Sequence, residues 1–438
     1  MLVTISSVYL NPFGKNPRSD EYIYTSSAEY ILSGHVCRPY TFYALASQKL
    51  CNLEHPPLVK EIMAVSIFFF GRDMWGARLP SMIFGTLCIP IVAYIGWRLT
   101  RRLSVAVISA SLMAFNPLLI GSSSIAMLDT AEIFFTLCAI ALYLSSLFGR
   151  HTIWKLLMVG NLFGLSILSK EVAVFALLAI VTYSFFELRL VTALKRSVFI
   201  LAGSALTTIA GFEFYDHHFT SFPNPANHIV FIIDYAKSIQ GYYVSTNPEL
   251  WLTSLANRDL GSGLGVMNPT ISFPVFFWIP LFALYVVSRR STHALMLPAI
   301  LLIWTYFPYF VMFDYFHRDV KYFYSIQMTP ALVVGAAYLY STIGEKLVSR
   351  KRFGRKLNVT AIVCVLSFSI LLYYLSGAGV IMNSTTKNQS PVIPPPPYGK
   401  YGFQNLSAPS ILSASYNDHP VIRNISQTLL PNNLEKDT

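Results

Sequence analysis

Apolar stretches of roughly 17–25 residues recur along this 438-residue chain, and they restrict its fold more than any other feature of the sequence. A helix of that length crosses the hydrocarbon core of a bilayer, and it makes all its backbone hydrogen bonds internally, as lipid requires. Only 12% of the residues are charged, whereas soluble domains have about a quarter. The sequence therefore predicts an all-α polytopic membrane protein.

The apolar stretches predict two groups of transmembrane spans, one within 79–213 and one within 271–380. The individual predicted spans are 79–97, 103–121, 130–148, 154–168, 171–187, 197–213, 271–288, 293–313, 323–343 and 358–380. Residues 1–12 are too few to cross a bilayer, and we expect them to be the end of a first helix whose beginning is missing. The expected fold thus has about 10–11 transmembrane helices.

The distribution of basic residues orients these spans. Half of the 32 Lys and Arg fall in the loops that alternate spans place on one side of the membrane. An excess of basic residues in short loops marks the cytoplasmic side. The net charge of +11 therefore reports membrane orientation, and we do not expect nucleic acid as a partner.

With that orientation, three regions face outward: a first loop at 13–78, a second loop at 214–270 and a polar tail at 381–438. The tail has four N-x-S/T sequences, which agrees with an outside location. Within the first loop, residues 58–71 are apolar, but a span there would invert every later loop. We therefore predict an amphipathic helix that lies along the outer interface over that stretch.

Two of the five cysteines, Cys37 and Cys51, lie together in the first external loop. An oxidising exterior permits a disulfide between them, but their positions in the sequence do not decide whether they pair. The spacing of Cys and His residues does not resemble a zinc site anywhere in the chain. The sequence therefore indicates no required metal and stays compatible with a bound divalent cation.

Charged residues that are far apart in the sequence meet at the outer ends of the predicted spans. They are Asp20, Glu21, His55, Lys60, Arg78, Asp129, Lys170 and the group at 314–321. A solute transporter more often places its ionisable groups at mid-bilayer on broken helices, and one half of this chain does not repeat the other. Both observations favour an enzyme that works at the outer interface over a transporter.

Such a set of groups suits the transfer of a sugar from a lipid phosphate. An inverting reaction needs a carboxylate to take the proton of the acceptor hydroxyl, and it needs cations to hold the departing phosphate. If residues 20–33 are helical, Asp20 and Glu21 project about 100° apart, so only one carboxylate points into the site. We predict that Asp20 is the base; the alternative is that it caps the helix N-terminus.

Five motifs carry a resemblance to a known family. They are DEYIYTSSAEYILSG from residue 20, HPPLVK at 55–60, RLPSMIFGT at 78–86, IAMLDTAEIFF at 125–135 and GLSILSK at 164–170. In this order and spacing they resemble the dolichyl-phosphate-mannose–protein O-mannosyltransferases of the GT-C superfamily, whose members use polyprenyl-phosphate sugars. The resemblance implies a GT-C fold with its active site between the first external loop and the membrane.

The resemblance implies that Asp20 is the catalytic base and that Glu21 helps to shape the site. It also implies three cations that bind the donor phosphate: Arg78, Lys170 and Lys60. The residue types alone leave other roles open. Arg78 and Lys60 are also suited to extend towards lipid headgroups as interfacial anchors, and Lys170 is suited to pair with a loop carboxylate.

Two further residues, His55 and Asp129, are implied to bind substrate. His55 precedes two prolines and is alternatively a turn residue. Asp129 is alternatively the N-cap of a helix that begins at Thr130. Ser124 departs from the family pattern, because members often carry an arginine before the IAMLD stretch.

The predicted function is the inverting transfer of mannose from a polyprenyl (dolichyl) phosphate to Ser or Thr hydroxyls of exported proteins. A sister GT-C enzyme that glycosylates a lipid or polysaccharide is the alternative within this class. We expect membrane lipids around the protein, no required cofactor, and an active site on the external face of the plasma membrane. The loop at 214–270 lacks the β-trefoil domain of eukaryotic members, which indicates a prokaryotic, archaeal enzyme; a eukaryotic one would lie in the endoplasmic reticulum membrane.

Overall fold

The structure is a computed structural model, and it describes residues 19–40, 50–72, 74–147, 153–238, 293–310 and 326–349. These residues form twelve helices, which we number in chain order. They are α1 (Ser19–Leu32), α2 (Leu58–Phe70), α3 (Met74–Thr100), α4 (Leu103–Ala114), α5 (Pro117–Ser123), α6 (Asp129–Leu147), α7 (Ile153–Ser169), α8 (Ala173–Glu187), α9 (Leu190–Phe219), α10 (Pro225–Ser238), α11 (His293–Phe310) and α12 (Thr329–Ser349). The predictions for 1–12, 271–288, 314–321, 358–380 and 381–438 fall outside the described residues.

Three helices in the described part of the chain, α3, α6 and α9, are long and apolar enough to cross a membrane. Shorter apolar helices are α4, α7, α8 and the central part of α11. A large cluster of buried aliphatic side chains lies between these helices. The predicted all-α membrane architecture is thus the one that the described residues form.

The predicted span at 103–121 is divided into two helices, α4 and α5. After α4 ends, the side chain of Asn116 accepts a hydrogen bond from the Leu119 backbone N–H at 2.9 Å and so begins α5. Pro117 takes the first position of α5, where a missing N–H is tolerated. Within one continuous helix the same proline would remove a backbone hydrogen bond, so Asn-Pro divides the apolar stretch.

Helix α9 is longer than the span predicted at 197–213. It has 30 residues, which is about 45 Å at 1.5 Å per residue, so it exceeds the roughly 30 Å hydrocarbon core. The charged residues near both ends led to the shorter prediction, although such residues are compatible with a helix that extends into water. The helix thus continues to Phe219, and Pro225–Ser238 of the predicted second loop folds as α10. The external position of 214–270 stays a prediction.

Glycines bring α7 and α9 into close contact. A Cβ atom at Gly160 would lie 2.2 Å from the carbonyl oxygen of Ile200, and one at Gly203 would lie 2.6 Å from that of Leu157. Small residues at such positions allow two helix backbones to approach each other within a membrane. This contact holds α9 against the bundle and thereby sets the position of its C-terminal end.

The first loop packs onto one end of the bundle. Helix α1 contacts α2, and α2 contacts α3, and an apolar cluster that includes Tyr24, Met63 and Leu128 fills the space between them. Helix α2 has 13 residues, or about 20 Å, which is too short to cross a bilayer. The helix expected at 58–71 is therefore present, and its position along the membrane interface stays a prediction.

Cys37 and Cys51 form a disulfide, with 5.9 Å between their Cα atoms, which answers the question that the sequence left open. Closing a loop of this length stabilises a fold by about 3 kcal/mol in the chain-entropy model. Cys37 also contacts the end of α9: its N–H donates to the Phe219 carbonyl at 2.8 Å, and its carbonyl accepts from the Ser221 N–H at 3.0 Å. The first loop is thereby attached to α9.

We predict that Gly160→Ala destabilises the protein by about 1–3 kcal/mol, because the added methyl group clashes with the Ile200 carbonyl and forces α9 away. Thermal unfolding in detergent measures the change. Gly121→Ala is the matched control, since a Cβ there would meet nothing within 4 Å and alanine favours a helix. Equal melting temperatures for the two variants would contradict the close packing of α7 on α9.

Candidate active site

Helix α1 places the two acidic residues of the first loop in different surroundings. Asp20 and Glu21 both lie in the first turn of α1, where negative charge is favourable beside the helix dipole. The Glu21 side chain is fully buried, while Asp20 is partly exposed. This difference agrees with the expectation that only one of the two carboxylates points into an open site.

Glu21 forms a buried, bidentate ion pair with Arg78 near the start of α3. Arg78 Nε donates to Glu21 Oε1 at 2.6 Å and Nη2 donates to Oε2 at 2.8 Å, and the two side chains are 1% and 0% exposed. The Ala126 backbone N–H donates to Oε1 at 2.9 Å. Three donors thus satisfy the carboxylate, which is the condition under which a buried charge is tolerated.

This ion pair joins α1, α3 and the segment between α5 and α6. The Ser81 hydroxyl supports the same junction, because it lies 3.2 Å from both the backbone N and the carbonyl oxygen of Met127. Arg78 Nη1 has no hydrogen-bond partner among the described residues. It is therefore the part of the guanidinium that the pairing with Glu21 does not use, and contact between Arg78 and a donor phosphate stays a prediction.

Lys170 pairs with Asp129 at the same end of the bundle. The Lys170 Nζ is 2.5 Å from Asp129 Oδ1, and both side chains are almost fully buried. Lys170 lies in the turn between α7 and α8, and Asp129 is the first residue of α6. The alternative in which Lys170 pairs with a carboxylate is therefore the arrangement observed, and contacts of both residues with substrate stay predictions.

His55 pairs with Glu171, the residue after Lys170. His55 Nδ1 is 3.2 Å from Glu171 Oε2, and the two side chains are 26% and 39% exposed. The His55 ring also meets the Tyr24 ring edge-on, with 6.1 Å between the centroids. The sequence did not single out Glu171 as a candidate, and the only signal for it was its place beside Lys170 between two helices.

The surroundings favour the charged forms of both partners. Burial alone would lower the pKa of His55, but Glu171 and then Glu54 raise it above the ordinary value of 6.5. Burial would raise the pKa of Glu171 from 4.5, but His55 and then Lys170 lower it to about 2. The contribution of His55 to folding stability is therefore complete below pH 6.5, and it is lost as the pH rises through the raised pKa. The contribution of Glu171 is complete above pH 4.5, and it is lost as the pH falls towards 2. Solvent around these part-exposed groups keeps both contributions small.

Lys60 holds the backbone of the first loop just before α2. Its Nζ donates to the carbonyl oxygens of Asn52 at 2.6 Å and of His55 at 2.7 Å, and it lies 5.8 Å from the centroid of the Tyr215 ring. The side chain is fully buried, and burial lowers the pKa of Lys60 to about 8. Lys60 therefore orients the residues around His55, and its contact with a donor phosphate stays a prediction.

A third buried pair, formed by a histidine and an aspartate, supports the same loop from the side of α10. His228 Nδ1 is 2.6 Å from Asp216 Oδ1, and His228 Nε2 is 2.9 Å from the carbonyl oxygen of Leu53. Both ring nitrogens face acceptors, so both hydrogen bonds form together only when each nitrogen carries a proton. Sequence reasoning missed this contact, because Leu53 and His228 are 175 residues apart and neither belongs to a recognised motif.

The ion pairs and ring contacts described above connect the predicted site residues with one another at one end of the helix bundle. Tyr24 lies one helical turn after Asp20, about 6 Å along α1, and it touches His55. The partner of His55 is adjacent in the chain to Lys170. A part-exposed carboxylate beside several buried cations is an arrangement that can accept a proton and stabilise an anion.

A metal centre is not formed by the part of the chain that the structure describes, where no group of three or more His, Cys, Asp or Glu side chains is arranged to hold an ion. The acidic residues near Asp20 are instead paired with basic side chains. Glu21 is bound to Arg78, and Asp129 to Lys170. In both pairs the positive charge is balanced by a buried carboxylate.

Comparisons with known proteins agree with the sequence motifs. The family model of dolichyl-phosphate-mannose–protein mannosyltransferases matches residues 63–214, which confirms the resemblance inferred from the motifs. The matched range includes Arg78 and Lys170 and begins after Asp20 and His55. A curated relative, the polyprenol-phosphate-mannose–protein mannosyltransferase of Corynebacterium glutamicum, is 36% identical over 85 residues, which are 19% of this chain and only 16% of that relative.

Solved structures of two membrane transferases are similar to this one. ArnT from Cupriavidus metallidurans, with undecaprenyl phosphate bound, has a TM-score of 0.56 at 17% identity, over 88% of this chain and 71% of ArnT. The oligosaccharyltransferase of Archaeoglobus fulgidus, in complex with zinc and sulfate, has a TM-score of 0.55 at 17% identity, over 86% of this chain and 52% of that protein. Both have the GT-C fold, so the GT-C fold expected from the motifs is confirmed, and the chain is an integral membrane protein.

We predict that breaking the Glu21–Arg78 pair from one side costs about 3–5 kcal/mol of folding stability, because an unpaired buried charge is left behind. Glu21→Gln and Arg78→Met are the two single changes, and the double variant should lose much less than their sum. Unfolding in mixed micelles with sodium dodecyl sulfate measures the three free energies. Arg72→Met removes an exposed arginine and serves as the control. Additive losses in the double variant would mean that the two side chains do not interact.

Proposed function

We propose that this protein is an inverting glycosyltransferase that moves mannose from a polyprenyl phosphate to Ser or Thr hydroxyls of exported proteins. The family-model match and the fold support a transferase that uses a lipid-linked donor. The choice of sugar and acceptor follows the names of the matched family and of the Corynebacterium relative. A sister enzyme that glycosylates a lipid differs from this one in its acceptor alone.

The contrast between Asp20 and Glu21 is the observation that carries this proposal. Glu21 is buried, and Arg78 and the Ala126 N–H occupy its two oxygens. Asp20 is the preceding residue and is partly exposed. Because neighbouring Cα atoms are about 3.8 Å apart, the ion pair of Glu21 also fixes the backbone that carries Asp20, which supports Asp20 as the base.

In the proposed reaction, Asp20 takes the proton of the acceptor hydroxyl while the hydroxyl oxygen attacks the anomeric carbon of the sugar. The attack comes from the face opposite the phosphate, so the configuration at that carbon inverts. The bond between the carbon and the phosphate oxygen breaks as the new bond forms, and its electron pair leaves with the lipid phosphate. The proton stays on Asp20 until the products depart.

Cations lower the energy of this transition state, because negative charge develops on the departing phosphate. We assign that role to Arg78, Lys170 and Lys60. In the described conformation each of them is bonded to a protein partner, and separating a buried charge from its partner costs about 3–5 kcal/mol. We therefore expect them to act through their electric field and by shaping the site. Arg78 Nη1 is the guanidinium nitrogen without a described hydrogen-bond partner, and it is buried. This chemistry requires no metal.

The proposed location of the site is the external face of the plasma membrane. The concentration of Lys and Arg in the opposite loops supports this orientation. The disulfide between Cys37 and Cys51 supports it independently, because disulfides persist in oxidising compartments and are rare in the cytosol.

A direct assay tests the proposed function. The protein in lipid nanodiscs receives a polyprenyl phosphate that carries labelled mannose, together with a peptide that contains Ser and Thr or with a lipid acceptor. Label on the peptide hydroxyls is the expected result. Label on the lipid acceptor alone would replace this function by that of the sister enzyme, and solute uptake by sealed vesicles without any transfer would point to a transporter.

We predict that Asp20→Asn lowers turnover by about 10²–10⁴-fold, as expected when a general base is removed. The variant should still fold and bind the polyprenyl phosphate, since Glu21 keeps α1 in place. Steady-state transfer of labelled mannose measures turnover, and a separate binding assay measures the affinity for the lipid.

Asp234→Asn on α10 is the matched control for this change, because it removes a carboxylate that lies outside the proposed machinery. It should transfer mannose at about the rate of the unmodified protein. Normal turnover of Asp20→Asn would remove Asp20 from the mechanism.

A further inference from the structure

Glu171 has no part in the reaction proposed above, yet its contacts place it at the site. Its carboxylate is 3.2 Å from His55 Nδ1, and the residue before it, Lys170, is paired with Asp129. The turn that carries Glu171 connects α7 and α8, whereas His55 belongs to the first loop. The ion pair therefore connects two parts of the chain that meet at the site.

The contacts of His55 hold its backbone and its ring while leaving one ring nitrogen unused. The His55 carbonyl accepts from Lys60 Nζ at 2.7 Å, and the His55 N–H donates to the Asn52 carbonyl at 3.4 Å. The ring packs edge-on against Tyr24, and Nδ1 faces Glu171. Within the described ranges, Nε2 makes no hydrogen bond.

The charged and titratable groups that face His55 come from four elements, one of which is α2, whose Lys60 Nζ donates to the His55 carbonyl at 2.7 Å. Glu171 and Lys170 belong to the turn between α7 and α8, Glu54 belongs to the loop of His55 itself, and Tyr24 belongs to α1. Glu171 and Glu54 favour the charged form of His55, and Lys170 disfavours it. The effect of Lys170 is reduced because Asp129 is paired with it. The balance raises the pKa of His55 above 6.5 and favours the imidazolium.

We propose that Glu171 is a positioning residue, which keeps His55 protonated and fixes its ring so that Nε2–H donates to the phosphate of the donor lipid. The inference rests on the proposed function, because its ligand is a polyprenyl phosphate.

Exposure distinguishes His55 from the other cations of the site. Arg78, Lys60 and Lys170 are almost fully buried and have protein partners. The His55 side chain is 26% exposed, and its Nε2 has no described hydrogen-bond partner that a phosphate would have to displace. Tyr24 contacts His55 and lies one helical turn after Asp20, about 6 Å along α1. A phosphate on His55 therefore leaves its sugar close to the proposed base.

The test measures binding of polyprenyl phosphate, without sugar, to the full chain in nanodiscs at a series of pH values. We expect binding to weaken as the pH rises through the pKa of His55, and we expect Glu171→Gln to move this decrease to lower pH. At pH 7 the variant should bind about tenfold more weakly, which corresponds to the loss of one charged hydrogen bond. The phosphate itself titrates at about pH 6, and His55→Gln supplies the profile of the lipid alone.

Two further variants distinguish the positioning of His55 by Glu171 from a general disturbance of the fold. Glu171→Asp retains the charge and should restore most of the pH profile. Glu213→Gln removes an exposed carboxylate on α9 and should leave the profile unchanged. A profile of Glu171→Gln that coincides with that of the unmodified protein would overturn the inference.

The inference and the proposed function fail in different ways. Mannose transfer together with an unchanged profile in Glu171→Gln would refute the role of Glu171 alone. Binding with the expected shift but without mannose transfer would refute the proposed reaction and support the role of Glu171 in holding a lipid phosphate. Absence of polyprenyl phosphate binding in the unmodified protein would overturn both.

Discussion

The buried ion pair between Glu21 and Arg78 is the contact on which the rest of the site depends. It joins α1 to α3, and the Ala126 N–H brings the segment before α6 to the same carboxylate. Separating the two buried charges would leave each of them uncompensated, which favours the arrangement in which the three elements meet. Asp20 shares the first turn of α1 and receives its position from this arrangement. The buried ion pair thus fixes the position of the residue that we propose as the catalytic base.

The length of each apolar stretch was enough to predict most of the helices. In lipid, a stretch of about 20 apolar residues must satisfy its backbone hydrogen bonds internally, and a helix does so. The motifs likewise singled out Arg78 and Lys170, and the structure places both of them in buried ion pairs. Their partners were beyond sequence reasoning, since helical periodicity gives the face on which a residue lies but not the distant helix that this face will meet. Glu21 is 57 residues from Arg78, and Glu171 is 116 residues from His55. The division at Asn116 had a local signal, which the surrounding apolar residues obscured.

Residues 50–57, before α2, have little regular structure. Hydrogen bonds donated by side chains outside this segment hold its backbone in place. Lys60 binds the carbonyl oxygens of Asn52 and His55, and His228 binds that of Leu53. The disulfide at Cys51 adds a covalent connection. Backbone carbonyls that are satisfied in this way cannot be exchanged for other partners without leaving buried polar groups unpaired. The loop therefore presents its side chains from a fixed backbone, which is what a binding site requires.

The length of α9 has a consequence for the membrane around the protein. About 45 Å of helix is longer than 30 Å of hydrocarbon, so an upright α9 extends beyond the lipid tails on at least one side. On the proposed orientation, its C-terminal end is on the external side. That end carries Asp216 and contacts Cys37, and through them it supports the first loop. A thicker bilayer buries more of α9 in hydrocarbon, whereas a thinner bilayer causes the helix to tilt. With the loop on the proposed external face, we expect its height above the lipid phosphates, and its accessibility to a lipid-borne molecule, to vary with lipid composition.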